Sequence, residues 1–242
     1  MGLEVTGISV RFGGHVALDD VALHAESGQI TGLIGPNGAG KTTLFNVITG
    51  VQQPDRGHVV LDGRRLEHVP AHRRARLGLG RTFQRLELFG SLTVRDNLLV
   101  AASALPRSRH RAVTDGLLER LGLTGVADVR ADAVSTGTGR LVELARCLAT
   151  GPRVLLLDEP ASGQDDHETA RFAEIIGELA GEGMAVVLVE HDMDLVMLVC
   201  HQVHVLDFGH LLASGPPAFI RADPAVRAAY LGEEASDDHP HL

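Results

Sequence analysis

Three short runs in the chain, residues 29–34, 154–157 and 184–189, are apolar almost throughout. A strand with one face in water alternates polar and apolar residues, whereas a strand that is apolar on both faces must be covered on both. The segments that follow two of these runs have a different period. Residues 42–49 place Leu44, Phe45 and Ile48 on one helical face, and residues 168–180 do the same with Phe172, Ile175, Ile176 and Leu179. Apolar strands separated by amphipathic helices predict an α/β fold with a mostly parallel sheet and helices on both faces. Further strands are expected at 3–10, 58–61 and 80–83, with an Arg-rich helix at 71–76 and a hairpin from 204–206 and 211–213. Residues 86–150 read as mainly helical, with helices at 94–104, 114–121 and 140–150, and suggest an inserted subdomain.

Charge and composition narrow the setting. The 242 residues include 22 Lys and Arg against 31 Asp and Glu, a net charge of −9. That balance disfavours holding a nucleic acid through its phosphates. No apolar run approaches the roughly 18 residues that span a bilayer, and the N-terminus lacks a basic region followed by an apolar one. The two cysteines, Cys147 and Cys200, are too few for a disulfide framework and suit a reducing compartment. A cytoplasmic protein is expected. Cys147 is expected to be buried and inert. His201, His204, His239 and His241 have no acids at ligand spacing and read as structural or tail residues. Residues 233–242 read as an acidic, disordered tail.

The first apolar run ends in Gly35-Pro36-Asn37-Gly38-Ala39-Gly40-Lys41-Thr42-Thr43. This is the phosphate-loop pattern G-x-x-x-x-G-K-[ST], set between a strand and a helix as that pattern requires. Glycines allow backbone N–H groups to turn inward around phosphate oxygens, and the helix that follows directs its positive end at the anion. Lys41 is the only lysine among the 22 basic residues. A compact ammonium at that point suits the β- and γ-phosphates of a nucleotide, and the Thr42 hydroxyl suits Mg²⁺. The second run ends in Asp158-Glu159-Pro160. Carboxylates at the carboxyl edge of a parallel sheet lie where ligands bind. Asp158 is the candidate Mg²⁺ ligand, and Glu159 the candidate base that polarises an attacking water.

With these residues in place, the chain resembles the ATP-binding subunits of ABC transporters. The resemblance covers residues 3–232 and includes four further segments and one aromatic. Gln84, in Arg81-Thr82-Phe83-Gln84, resembles the Q-loop. Ser135-Thr136-Gly137, at a helix start, resembles the signature motif. Asp165 falls where the D-loop acid is expected, and His191, in Glu190-His191-Asp192-Met193, resembles the switch histidine. Phe12 falls where an aromatic ring stacks on adenine. The resemblance implies a P-loop NTPase domain over 1–232, with a RecA-like core of about 1–85 and 151–232, a helical subdomain of about 86–150 and a small antiparallel β element. It implies ATP and Mg²⁺ as cofactors, with Thr42, Gln84 and Asp158 toward the metal. It also implies that two such subunits pack head to tail, with Ser135, Gly137 and Asp165 of one facing the nucleotide of the other.

Finer features resemble the ATPases of branched-chain amino acid importers: Arg81-Thr82-Phe83-Gln84, the stretch from Leu88 to Val94, Glu190-His191-Asp192-Met193, and the ending Ala229-Tyr230-Leu231-Gly232. Urea and short-amide importers share much of this pattern, and the lipopolysaccharide-export ATPase is a more distant relative. The implied partners are a second ATPase subunit, identical or not, two membrane permease subunits and, indirectly, a substrate-binding protein, with no nucleic acid. The implied location is the cytoplasmic face of a membrane. Two alternatives stand beside an active importer ATPase: a weakly hydrolysing subunit paired with an active one, and a soluble ABC ATPase acting on nucleic acid or ribosomes. The signature departs from its family. Thr138 and Gly139 replace longer polar residues, and Gly in a first helical turn costs up to about 1 kcal/mol. A slow ATPase is expected, one that Gln at both positions would speed up.

Overall fold

The computed structural model describes residues 2–234, with side chains described as far as Tyr230. The strands are β1 (Gly2–Phe12), β2 (His15–Glu26), β3 (Ile30–Ile34), β4 (Arg56–Leu61), β5 (Arg64–Arg65), β6 (Leu79–Arg81), β7 (Val154–Asp158), β8 (Ala185–Val189), β9 (Gln202–Asp207) and β10 (His210–Gly215). The helices are α1 (Lys41–Thr49), α2 (Ala71–Arg76), α3 (Val94–Ala102), α4 (His110–Arg120), α5 (Thr136–Leu148), α6 (Asp166–Gly181), α7 (Met193–Val199), α8 (Pro217–Ala222) and α9 (Pro224–Glu234).

The strands form two sheets. One has six strands in the order β10-β9-β3-β8-β7-β6, parallel except for the β9–β10 hairpin. All five residues of β3, β7 and β8 are buried, as their unbroken apolar runs predict. Successive side chains of each strand feed opposite cores. Leu155, Leu157, Val186 and Leu188 join a cluster with Leu144, Phe172 and Ile176 from α5 and α6. Leu156, Val187 and Leu33 join the other, with Leu44, Phe45 and Ile48 of α1. Each such leucine contributes about 1.5–3 kcal/mol of burial.

The second sheet, β2-β1-β4-β5, is the antiparallel element that the resemblance implies. Its strand β2 is absent from the sequence reading. The signal was available: Gly13 and Gly14 sit between Phe12 and His15 as a two-residue hairpin turn, and Val21, Leu23 and Ala25 are buried in alternation with exposed Ala22, His24 and Glu26.

The helical stretch is present with shifted limits. The helix expected at 140–150 is α5, which begins four residues earlier and ends two residues earlier, and α4 also begins four residues before the expected 114. α9 extends through Glu234, so the expected tail loses its first two residues to a helix. The rest of that tail, with His239 and His241, lies outside the described residues. Burial pushes the thiols of Cys147 and Cys200 up to about 12, which keeps both inert at neutral pH. His201 Nδ1 accepts the N–H of Ile30 at 3.1 Å. His204 is buried on β9, and burial lowers it to about 4.

Candidate nucleotide site

Parallel strands bring their carboxyl ends to one edge. The loop after β3 is the glycine loop, β7 ends at Asp158, β8 leads into Glu190 and His191, and the segment after β6 carries Gln84. Residues far apart in sequence therefore meet. A cleft of about 360 Å³ is lined by Phe12, His15, Ala17, Asn37, Gly38, Ala39, Gly40, Lys41, Thr42, Thr43, Gln84 and Glu159.

The loop fits a phosphate. α1 starts from Gly40 in the left-handed region at φ 106°, with no side chain capping its N–H groups. A Cβ on Gly40 would come within 2.8 Å of the Ala17 carbonyl, and one on Gly35 would strike the Leu206 carbonyl at 2.1 Å. Both positions exclude any other residue. Lys41 is buried, with Nζ donating to the carbonyls of Gly35 and, at 3.0 Å, Pro36. The loop thus curls around its own ammonium, a geometry suited to an anion of high charge density.

The carboxylates have separate surroundings. Asp158 is buried, and Arg81 Nη2 donates to its Oδ2 at 2.9 Å. Burial raises the Asp158 pKa, and the Arg81 contact opposes that. Arg81 is held in turn over the rings of Phe45 and Phe83, at 5.4 and 5.0 Å, and by Asn46 Oδ1 at 2.7 Å. Sequence reasoning missed Arg81 as a site residue, although it opens the Arg81-Thr82-Phe83-Gln84 stretch. Glu159 faces the cleft from a backbone at φ 47°, unusual for a residue with a side chain. Its Oε2 accepts from Gln84 Nε2 at 2.8 Å. A dicarboxylate edge with an amide beside it can hold a divalent cation and take a proton from water.

His191 is exposed, 3.8 Å from the carboxylate of buried Glu190. Glu190 accepts the N–H groups of Ala161 and His191 at 2.9 and 3.3 Å, and burial raises its pKa. His191 lines a second cleft of about 390 Å³, together with Ala161, Gln164 and Asp166. Asp165 caps α6: its side chain accepts the Glu168 N–H at 2.8 Å, and Glu168 reaches back to the Asp165 N–H at 3.4 Å. The sequence Asp165-x-x-Glu168 is a capping box that the sequence reading passed over.

Ser135 and Gly137 lie at the start of α5, outside the glycine-loop cleft. A Cβ on Gly137 would overlap the Glu168 carboxylate at 2.1 Å, so this glycine lets α5 and α6 start side by side. Gly139 also has a packing reason. It is buried, and a Cβ there would meet Leu86 Cδ2 at 2.7 Å. A Gln at 139 therefore has to move the tip of the exposed Leu86 side chain, a cost to set against its gain in helix propensity. Thr138 is half-buried and bonded to Ser135 Oγ.

Comparison with known proteins agrees with this geometry. Residues 18–162 match the ABC transporter family, and residues 210–236 match the family described as branched-chain amino acid ATP-binding cassette transporter. The chain is 42% identical to the high-affinity branched-chain amino acid transport ATP-binding protein BraF of Pseudomonas aeruginosa, over 96% of this chain and 98% of that one. It is 42% identical, with the same coverage, to LivG of Escherichia coli, which carries the same description. It is 36% identical to the lipopolysaccharide export ATP-binding protein LptB of Acidithiobacillus ferridurans, over 96% and 97% of the two chains. Among solved structures, an ATP-binding cassette of an ABC transporter in its ADP conformation superposes with a TM-score of 0.87 at 29% identity, covering 96% of this chain and 98% of that one. No described helix is long and apolar enough to cross a membrane. A glycine cradle at a sheet edge, an acidic strand end and whole-length likeness to transport ATPases lead to one conclusion: the chain belongs to the ATP-binding subunits of ABC transporters, and is a P-loop ATPase.

Proposed function

We propose that this subunit drives the import of branched-chain amino acids, working at the cytoplasmic face of a membrane with a second ATPase subunit and two permease subunits. A substrate-binding protein would act through those permeases. The observation that carries the reading is the 42% identity to two branched-chain amino acid transport ATP-binding proteins over nearly the whole of each chain. The match over residues 210–236, outside the phosphate-binding core, supports the same substrate class.

In this reading the loop from Gly35 through Pro36, Asn37, Gly38 and Ala39 to Gly40, with Lys41 and Thr43, holds the ATP phosphates. Phe12, half-exposed at the cleft mouth, stacks on adenine. Thr42, Asp158 and Gln84 would hold Mg²⁺, which would neutralise phosphate charge and polarise the γ-phosphoryl group. Glu159 takes the proton of the attacking water, and its hydrogen bond from Gln84 orients the carboxylate for that task. His191 bonds the γ-phosphate. Ser135 and Gly137 reach the γ-phosphate of the partner subunit's nucleotide, and Asp165 lies at the same interface.

Glu159→Gln tests the assignment. The amide is nearly isosteric and cannot take the proton, so ATP affinity is expected to stay within about twofold while turnover falls at least 100-fold, on the order expected for loss of a general base. Size-exclusion chromatography of this variant with ATP and Mg²⁺ is expected to show a dimer. Only monomer would exclude a homodimer and favour a different ATPase as partner. Uptake of labelled Leu, Ile and Val against urea and short amides, in vesicles containing the permeases, tests the substrate.

A further inference from the structure

The helix that starts at the signature turn also holds the loop that carries Gln84. Arg140, on α5, donates from Nη1 to the carbonyl of Phe83 at 3.0 Å and from Nη2 to the carbonyl of Gln84 at 2.7 Å. Its Nη1 also pairs with Glu143 Oε2 at 3.2 Å, and Glu143 Oε1 accepts the N–H of Phe83 at 3.2 Å. Both side chains are more than nine-tenths buried. Three backbone groups of two successive residues are therefore fixed by two side chains of a single helix. Phe83 and Gln84 lie beyond the end of β6, where no strand ladder holds them.

A buried ion pair is weak evidence of stabilisation, because desolvation offsets most of its attraction. Its value here is geometric. The same two-residue segment carries the Gln84 side chain that bonds Glu159 at 2.8 Å. Arg140 lies five residues after Ser135, about 7.5 Å along the helix.

We propose that Arg140 and Glu143 are positioning residues, which set Gln84 against Glu159 and tie that contact to the position of the signature turn. The proposal rests on the reading of Glu159 as the group that acts on water. Its consequence is coupling between two sites. When the start of α5 engages a nucleotide held by a partner subunit, the movement of α5 is passed through Arg140 to Gln84 in this subunit's own site.

The test is a double-mutant cycle on the full-length chain, followed as single-turnover ATP cleavage over hours so that slow variants remain measurable. Arg140→Lys keeps the charge and cannot span both carbonyls. It is expected to slow cleavage about tenfold, with the affinity for a fluorescent ATP analogue within twofold of the parent. In a Gln84→Ala background the same change is expected to alter the rate less than twofold, because the group it positions is gone. Glu143→Gln, which keeps an acceptor for the Phe83 N–H, should retain more activity than Glu143→Ala. An equal slowing by Arg140→Lys with and without Gln84 overturns the proposal, and so does a parallel loss of nucleotide affinity. Failure of the underlying reading of Glu159 looks different: Glu159→Gln would then cleave ATP at close to the parent rate.

Discussion

Two glycine-containing segments each begin a helix, and they differ in whether a side chain caps it. α1 starts at Gly40, with no side-chain cap. α5 starts at Ser135, whose Oγ accepts the Thr138 N–H at 3.2 Å and donates to Thr138 Oγ1 at 3.1 Å. Capping and anion binding draw on the same donors at a helix start. The phosphate loop sets no capping side chain against a ligand held by its own chain. The signature turn satisfies one of those donors locally, and in the proposed function it would give up that bond to receive a γ-phosphate from another subunit, as suits a contact made and broken in each cycle. α6 stands further along that scale, with both halves of a capping box formed by Asp165 and Glu168.

The comparison can be broken at each helix. Lys41→Ala should have the largest effect, a loss of about 100-fold or more in affinity for a fluorescent ATP analogue, since charge-assisted contacts to phosphate are the strong ones. Lys41→Arg should also fail, because the wider guanidinium cannot occupy the turn that encloses the ammonium. Parent-like binding by the Ala variant would remove the contrast at its root. Asp165→Ala should cost about 1 kcal/mol in denaturant unfolding, as loss of a cap does, and leave nucleotide affinity of the separate chain unchanged. A fall in affinity would mean that this helix start also serves the chain's own nucleotide. Thr138→Gln is the finest probe. Removing the hydroxyl that engages Ser135 should raise turnover of the assembled complex by about threefold, the worth of one neutral hydrogen bond. Adding Gly139→Gln should bring no further gain because of Leu86. Unchanged turnover in Thr138→Gln would show that the local bond does not compete with the phosphate.

Much of this was legible in the sequence for a physical reason. Residues 154–157 are apolar throughout, and that admits few environments besides the middle of a covered parallel sheet. The glycine loop is legible because its chemistry restricts residue types one by one. What stayed hidden depends on tertiary partners. Gly139 looks like a flaw in a helix until Leu86 is seen against it. Arg81 looks like one arginine among many until the parallel sheet brings it to Asp158. Arg140 and Glu143 are ordinary helical residues whose role is set by a loop more than fifty positions away. The capping box and the hairpin at Gly13 and Gly14 were local signals, and the strand periodicity drew the reading past them.

The left-handed backbone at Glu159 has a further consequence. A residue with a side chain held there carries on the order of 1 kcal/mol of strain that glycine would not. Glu159→Gly should therefore raise the melting temperature of the chain by a few degrees while abolishing ATP cleavage. A library ranked by cellular abundance would score that loss of the carboxylate as an improvement, and one ranked by amino acid uptake would score it as dead. Position 159 would then register as a functional residue by the sign of that disagreement alone.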